Sequence, residues 1–253
     1  MMADKIVQVK NVRKVYDDKV AVDSISFDVN KGEIFGILGP NGAGKTTTLE
    51  MIETMREIDG GSITVDGIDV AKNPRAVKYI IGVQPQTASF QDKQKLTEVI
   101  EMFAAAYGES VKPMEFLEEV QLSDSSSKFV EQLSGGQRQR LSIAAALVHS
   151  PKVFFLDEPT TGLDPQARRN LWDLISFVRD KGVTVIMTTH YMEEAELLCD
   201  RVAIMDRGKI IALDTPKNLI KQLLKKGFKK QAVVEQANLE DVFIDFTGKA
   251  LRD

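Results

Sequence analysis

Three short stretches of this chain carry side chains whose types and spacing suit chemistry on a phosphate. The first is Gly39-Pro40-Asn41-Gly42-Ala43-Gly44-Lys45-Thr46, followed by Thr47. Glycines at 39, 42 and 44 let backbone N–H groups converge on phosphate oxygens, and a helix starting at the end of the loop adds its positive N-terminal end. In a G-x-x-x-x-G-K-[ST] loop of this kind, which alone says only that a nucleotide phosphate is bound, Lys45 is expected to reach the β- and γ-phosphates and the Thr46 hydroxyl to ligate Mg²⁺. The second stretch, Val153-Phe154-Phe155-Leu156-Asp157-Glu158, is an apolar strand that delivers two acids to its carboxyl end, where parallel sheets bind ligands. Asp157 suits Mg²⁺, directly or through water, and Glu158 suits a general base or water-positioning group. Two acids at a strand end are often only a solvated turn; the upstream glycine loop argues against that here. The third is Leu133-Ser134-Gly135-Gly136-Gln137, which opens a helix with an apolar stripe of Leu141, Ala144, Ala145 and Val148. A small residue and two glycines leave that helix end bare, so its N–H groups and the Ser134 hydroxyl can meet a γ-phosphate. As structure alone, the same stretch reads as a capped helix.

The surrounding pattern supplies the frame. Residues 6–12 and 20–29 contain short alternating segments separated by Asp17-Asp18, and Asn30-Lys31-Gly32 follows them as a turn. Ile34-Phe35-Gly36-Ile37-Leu38 is a continuous apolar strand running into the glycine loop, and the helix after Lys45 is expected to extend to about Arg56. From 86 to 130 the composition changes to helical segments at 96–107 and 113–120 and a Ser/Asp-rich stretch at 123–127. Beyond them, strands at 153–156, 183–188 and 202–205 alternate with helices at 168–179 and 192–199, the pattern of a mainly parallel sheet with helices on its faces. Leu171, Leu174, Ile175 and Val178 form one buried stripe, and Asp164-Pro165 is a good N-cap and first-turn pair for the helix that carries them. The expected fold is α/β: a P-loop (RecA-like), mainly parallel sheet core with an N-terminal antiparallel β subdomain and an inserted helical subdomain.

Composition narrows the classes. With 43% hydrophobic and 28% charged residues the chain reads as an ordinary globular protein, and a net charge of −4 argues against a nucleic-acid partner. The single cysteine, Cys199, cannot form an internal disulfide, so a reducing cytoplasm is expected and Cys199 is read as a small core residue. The opening residues carry Asp4 and Lys5 with no signal-peptide pattern, and no apolar run approaches the ~20 residues of a membrane span. A membrane function would therefore come through a separate polypeptide. The lysine-rich tail after Pro216 is read as a solvated helix face.

With these motifs in this order, residues 7–214 resemble the nucleotide-binding subunit of ABC transporters. The resemblance implies a head-to-tail dimer in which Ser134, Gly135, Gly136 and Gln137 of each subunit close over ATP held by the other's glycine loop. Asp164, in Gly162-Leu163-Asp164, matches the loop that crosses the dimer interface. His190, after Thr188-Thr189, matches the switch histidine that contacts the γ-phosphate and catalytic water; a lone histidine without that setting is more often structural. Gln86 matches the glutamine that links metal and water to the membrane partner, the Pro85-Gln86 order favouring it over Gln84. Tyr16 matches the aromatic that stacks on adenine, its alternative being a tyrosine packed in a turn. Residues 87–95 and the helices after them would dock a separate polytopic permease. The implied protein is a Mg²⁺-dependent ATPase held at the cytoplasmic membrane face through that permease, most simply as a homodimer. Its nucleotide-binding domain would span 1–222, with the helical subdomain at roughly 87–147, followed by a short tail at 223–253.

Leu239-Glu240-Asp241-Val242-Phe243 with Phe246-Thr247-Gly248 resembles the terminus of the drug- and lipid-exporter branch. Two features depart from it: Leu-Ser-Gly-Gly-Gln stands where that branch often has Tyr-Ser-Gly-Gly-Met, and the segment from 216 to 239 is short. An importer subunit and a non-transport assembly scaffold are the alternatives. A GTPase is excluded because Asn30-Lys31-Gly32-Glu33 precedes the loop and carries the wrong acid for guanine. No heptad run separates Lys45 from Asp157, as a chromosome-maintenance ATPase would require, and a translation-associated ABC factor would carry two cassettes.

Overall fold

A computed structural model of the chain describes residues 4–85 and 90–228. Strand β1 (Lys5–Tyr16) turns back at Asp17, whose φ of 50° is a left-handed conformation that aspartate tolerates, into β2 (Lys19–Asn30). Next come the wholly buried β3 (Ile34–Leu38), the glycine loop and helix α1 (Lys45–Ile52). Strands β4 (Gly60–Val65) and β5 (Ile68–Asp69) complete an antiparallel sheet of order β2-β1-β4-β5. Helix α2 (Pro74–Lys78) leads to β6 (Ile81–Gln84). Helices α3 (Leu96–Ala106), α4 (Pro113–Glu119) and α5 (Gly135–Leu147) lie between β6 and β7 (Val153–Asp157). The chain then alternates through α6 (Pro165–Asp180), β8 (Thr184–Thr189), α7 (Met192–Leu198), β9 (Arg201–Asp206) and β10 (Lys209–Asp214) to α8 (Pro216–Lys225), none of whose residues is buried.

The second sheet has the order β10-β9-β3-β8-β7-β6, parallel throughout except where β10 returns antiparallel on β9. Its central strands are apolar on both sides because both faces are covered. Ile34, Leu38, Phe154, Leu156, Val185 and Met187 point into a core shared with α3 to α7, while Phe35, Ile37, Val153, Phe155 and Ile186 point into a core shared with the antiparallel sheet and α1. The two-residue strand period thus divides each strand between two cores. Among the described residues, 4–219 belong to one compact unit and 220–228 to a second.

The α/β architecture matches the sequence expectation, with one correction. Helix α1 ends at Ile52, short of Arg56, because Thr54 adopts φ 65° and the N–H groups of Met55 and Arg56 both return to the Glu50 carbonyl, at 2.8 and 3.1 Å. Cys199 is buried, with its Sγ where a side chain on Gly36 would have to go; burial pushes its thiol pKa far up, as suits an inert core residue. Among the described residues, no helix is long and apolar enough to cross a membrane.

Candidate active site

The glycine loop is shaped by close backbone approach. A Cβ on Gly39 would come 2.1 Å from the Met205 carbonyl oxygen. Gly44 caps α1 with φ 101°, and a Cβ there would sit 2.6 Å from the Ala21 carbonyl oxygen. A cavity of about 290 Å³ opens over this loop, lined by Asn41, Gly42, Gly44, Lys45, Thr46, Thr47 and Glu158. Lys45 is only 5% exposed; its ammonium donates to the carbonyls of Gly39 (2.9 Å) and Pro40 (3.2 Å) and lies 3.1 Å from Glu158 Oε1. Ala43 is buried beneath the loop and donates its N–H to the Pro40 carbonyl.

The acids reach the cavity from the carboxyl end of β7. Thr46 Oγ1 donates to Asp157 Oδ1 at 3.2 Å, although the two residues are 111 apart in sequence. The Thr188 hydroxyl also donates to Asp157 Oδ1, through a short contact, and accepts the Glu158 N–H at 3.0 Å. That N–H lies 3.2 Å from the Thr188 carbonyl as well, so two acceptors hold Glu158 at its unusual φ of 47°. His190 Nδ1 is 3.2 Å from Glu158 Oε2, close enough for ion pairing but off the line of a hydrogen bond. Burial alone would raise the Glu158 pKa; the Lys45 ammonium and the His190 ring outweigh it and hold the carboxyl below its ordinary value.

A hydroxyl beside a carboxylate is a hard-oxygen donor pair of the type Mg²⁺ uses when phosphates and water complete its shell. Thr46 and Asp157 therefore fit the ion. Among the described residues no cluster of three or more His, Cys, Asp or Glu side chains forms a self-sufficient metal cage. Gln86, the other expected ligand, lies outside the described residues, as do residues 87–89 of the expected docking loop and the 239–248 terminus.

Ser134 and Asp164 belong to a different depression. Together with Gly136, Gln137, Arg140, Gln166, Ala167 and Asn170 they line a cavity of about 360 Å³ that shares no residue with the first. The start of α5 is less bare than its sequence suggests: Ser134 Oγ accepts from the Gln137 N–H at 3.3 Å, and Gln137 Oε1 accepts from the Ser134 N–H at 3.0 Å. This reciprocal capping uses the Ser134 and Gln137 N–H groups and leaves those of Gly135 and Gly136, at the first turn of α5, without an intrahelical acceptor. Asp164 Oδ1 caps α6 by accepting from the Ala167 N–H at 2.8 Å. Gly135 does not line the depression, and a Cβ there would meet nothing within 4 Å. Tyr16 stands outside both cavities, 37% exposed, with Lys14 Nζ and Arg56 Cζ 5.6 and 5.5 Å from its ring centroid. Gln84 is fully buried and its Nε2 donates to the Pro85 carbonyl.

The ABC transporter family model matches residues 22–161, more than half of the chain. The chain belongs to the ABC transporter family. It is 41% identical over 223 residues to the linearmycin resistance ATP-binding protein LnrL of Bacillus subtilis, covering 86% of this chain and 72% of that one. It is 43% identical over 218 residues to the Nod factor export ATP-binding protein I of Burkholderia pseudomallei, covering 83% and 71%. The ADP conformation of an ATP-binding cassette of an ABC transporter superposes with a TM-score of 0.79 at 26% identity, over 87% of this chain and 95% of that one. The chain is thus an ABC-type ATP-binding subunit with the cassette fold.

Two residues that sequence reasoning passed over stand beside the cassette's site. Thr188, visible only as the residue two before His190, joins Asp157 to Glu158. Glu53, at the end of α1, is 5% exposed; burial, then the charges of Asp157 and Glu50, push its pKa up to about 8. No motif marks a lone glutamate beyond a helix, so burial was its only signal.

Proposed function

We propose that this chain is the Mg²⁺-dependent ATP-hydrolysing engine of an exporter, working as a pair whose two ATP sites are each shared between subunits. The observation that carries this reading is the division of the motifs between two cavities, Lys45 and Glu158 lining one, Ser134 and Asp164 the other. Two copies placed head to tail would bring the second cavity of each over the first cavity of its partner.

In this mechanism Lys45 leaves the Gly39 and Pro40 carbonyls and Glu158 for the β- and γ-phosphate oxygens of ATP, with loop N–H groups beside it. Losing that ammonium frees Glu158 to take the proton of a water attacking the γ-phosphorus in line, as the bond to the ADP oxygen breaks. His190 orients the same water and phosphate, and Tyr16 stacks against adenine. Mg²⁺, held by Thr46 and Asp157 with Gln86 as a further ligand, would neutralise charge developing on the phosphate oxygens. The N–H groups of Gly135 and Gly136, with the Ser134 hydroxyl, cap the γ-phosphate bound by the partner, while Asp164 crosses the interface. ATP favours the closed pair only through contacts that the open pair lacks, so hydrolysis reopens it and the movement passes through the Gln86 region to a separate permease.

Export is supported by the resistance and export functions in the names of the two relatives, and those names lend nothing to an importer or an assembly scaffold. Attachment to a permease at the cytoplasmic membrane face follows from that reading, with the nucleotide-binding domain assigned to 1–222 and the tail to 223–253. The test is complementation: Lys45→Ala and Ser134→Arg subunits, each inactive alone, are mixed and their heterodimers isolated. Sharing predicts recovered ATPase activity, because one composite site has both parts intact. Proven heterodimers with no recovery would overturn it.

A further inference from the structure

Behind His190 lies a buried polar cluster that the hydrolytic steps above do not use. Glu194, on α7, is fully buried, and its Oε1 accepts from Trp172 Nε1 on α6 at 3.0 Å. The hydroxyls of Thr189 and Thr160, each 1% exposed, face the same carboxyl, as does the Arg168 guanidinium. Each neighbour belongs to a segment of the proposed site. Thr189 precedes His190, accepts the Tyr191 N–H through Oγ1 at 2.9 Å, and lies with its carbonyl 3.4 Å from the Gly39 N–H. Thr160 sits between Glu158 and Asp164. Trp172 and Arg168 belong to the helix that Asp164 caps, and Arg168 Cζ lies 4.7 Å over the ring of Tyr191, which packs 4.1 Å from the His190 ring.

We propose that Glu194 is a positioning residue: through Trp172, Thr160 and Thr189 it ties the helix behind Asp164 to the segment bearing His190, so that engagement of a partner at Asp164 and the placement of His190 are set together. This rests on the roles proposed for Glu158, Asp164 and His190. Two features make one carboxyl suited to the task. It faces residues of all three segments at once, and its buried hydrogen bond from Trp172 anchors it to α6. Among the described residues Glu194 Oε2, Thr160 Oγ1 and Arg168 Nε have no partner at hydrogen-bond geometry, so Thr160 faces the carboxyl without yet bonding it, and the tie through Thr160 closes fully when the segments shift. Glutamine keeps the shape of the side chain and an oxygen to accept from Trp172 Nε1, which makes it the conservative replacement.

The experiment compares Glu194→Ala, Glu194→Gln and Trp172→Phe by steady-state ATPase kinetics, and both Glu194 variants by the emission of Trp172, the only tryptophan of the chain. Glu194→Ala should lower kcat about 10- to 100-fold, as a misplaced catalytic group does. It should leave the ATP KM within about twofold, since no ground-state contact is lost. It should also abolish the ATP-induced change in Trp172 emission. Glu194→Gln should restore most of both. Trp172→Phe should lower kcat in the same direction, and the double variant Glu194→Ala/Trp172→Phe should fall short of the product of the single effects. Multiplicative losses, or a folded Glu194→Ala protein with wild-type kcat and emission response, would overturn the proposal. Should Glu194→Ala fail to fold, the Gln and Phe variants decide: Gln no better than Phe refutes it. Glu158→Gln and His190→Ala are run in parallel, because their full activity would sink the underlying site reading, whereas their inactivity beside an active Glu194→Ala would sink this inference alone.

Discussion

Replacing Glu158 with glutamine should separate two jobs that the proposed mechanism gives to one carboxylate. The first is chemical. Loss of a general base costs about 10²- to 10⁴-fold in kcat, which is about 2.7–5.4 kcal/mol of transition-state stabilisation at 1.36 kcal/mol per decade. The second is competitive. Glu158 Oε1 lies 3.1 Å from Lys45 Nζ, with side chains 10% and 5% exposed, and in the proposed mechanism ATP takes that ammonium away. At an effective dielectric near 20 the gross attraction is about 5 kcal/mol. Desolvation of both ions cancels most of it, leaving a net pair energy on the order of 1 kcal/mol. The Gly39 and Pro40 carbonyls still hold Lys45 in the variant, so only the Glu158 share of the competition is removed. Glu158→Gln should therefore bind ATP about fivefold more tightly, 1 kcal/mol being worth that in Kd, while nearly ceasing to hydrolyse it.

A fluorescent ATP analogue titrated by anisotropy gives the affinity, single-turnover release of labelled phosphate gives the chemistry, and size-exclusion chromatography should find an ATP-dependent dimer. Turnover close to wild type would remove Glu158 from catalysis. Equal or weaker ATP binding by a folded variant would refute the competition, even if hydrolysis were lost. The acid limb of stability is a third readout. The folded Glu158 carboxyl titrates below its ordinary value of 4.5, so its stabilising contribution is present above that pH and is lost as pH falls through the folded pKa. Glutamine should remove that part of the acid-induced loss.

Glu53 gives the opposite sign. The unfolded chain releases this proton near pH 4.5 while the folded chain keeps it to about 8, so the folded state binds more protons across that window and stability falls as pH rises. In metal-free buffer, Glu53→Gln should flatten that slope and stabilise the protein at pH 8 by up to a few kcal/mol, read by urea denaturation at pH 5 and 8; parallel slopes for the two proteins would refute it. Two glycine substitutions should divide folding from function. Gly39→Ala places a Cβ 2.1 Å from the Met205 carbonyl, which forces a backbone shift and should cost several kcal/mol, or about 3. Gly135→Ala meets nothing within 4 Å and should leave stability unchanged or raise it by up to about 1 kcal/mol. If the ATP sites are shared as proposed, it should nevertheless impair ATPase activity by crowding the N–H groups that would meet the partner's ATP. Thermal melts and turnover, measured together, check both.

Much of this was legible in the sequence because the motifs are local. Gly39 to Thr46 specify their own turn and helix start, the strand periods of 34–38 and 153–157 announce two covered faces, and Asp164-Pro165 writes its own cap. The end of α1 was less legible, since Thr54 reverses the chain in a conformation that its residue type disfavours. The self-capping of Ser134 by Gln137 was present as an S-x-x-Q pattern, yet two glycines drew attention to the exposed N–H groups instead.

The relations that matter most to chemistry depend on strand order, which no local pattern encodes. Because β8 lies between β3 and β7, Thr189 is brought level with Leu38 and Thr188 level with Asp157. The segment after β8 therefore emerges between the glycine loop and the two acids. That single topological fact places His190 against Glu158, gives Thr188 to both acids, and puts Lys45 within reach of a carboxylate far along the chain. The same order brings Lys45 against Glu158, whose carboxyl that ammonium helps to hold below its ordinary pKa. In the proposed mechanism ATP claims that lysine, so Glu158 would become more basic as ATP binds, and substrate binding and activation of the base would be one electrostatic event. If they are, Glu158→Gln should alter affinity and chemistry together and in opposite directions.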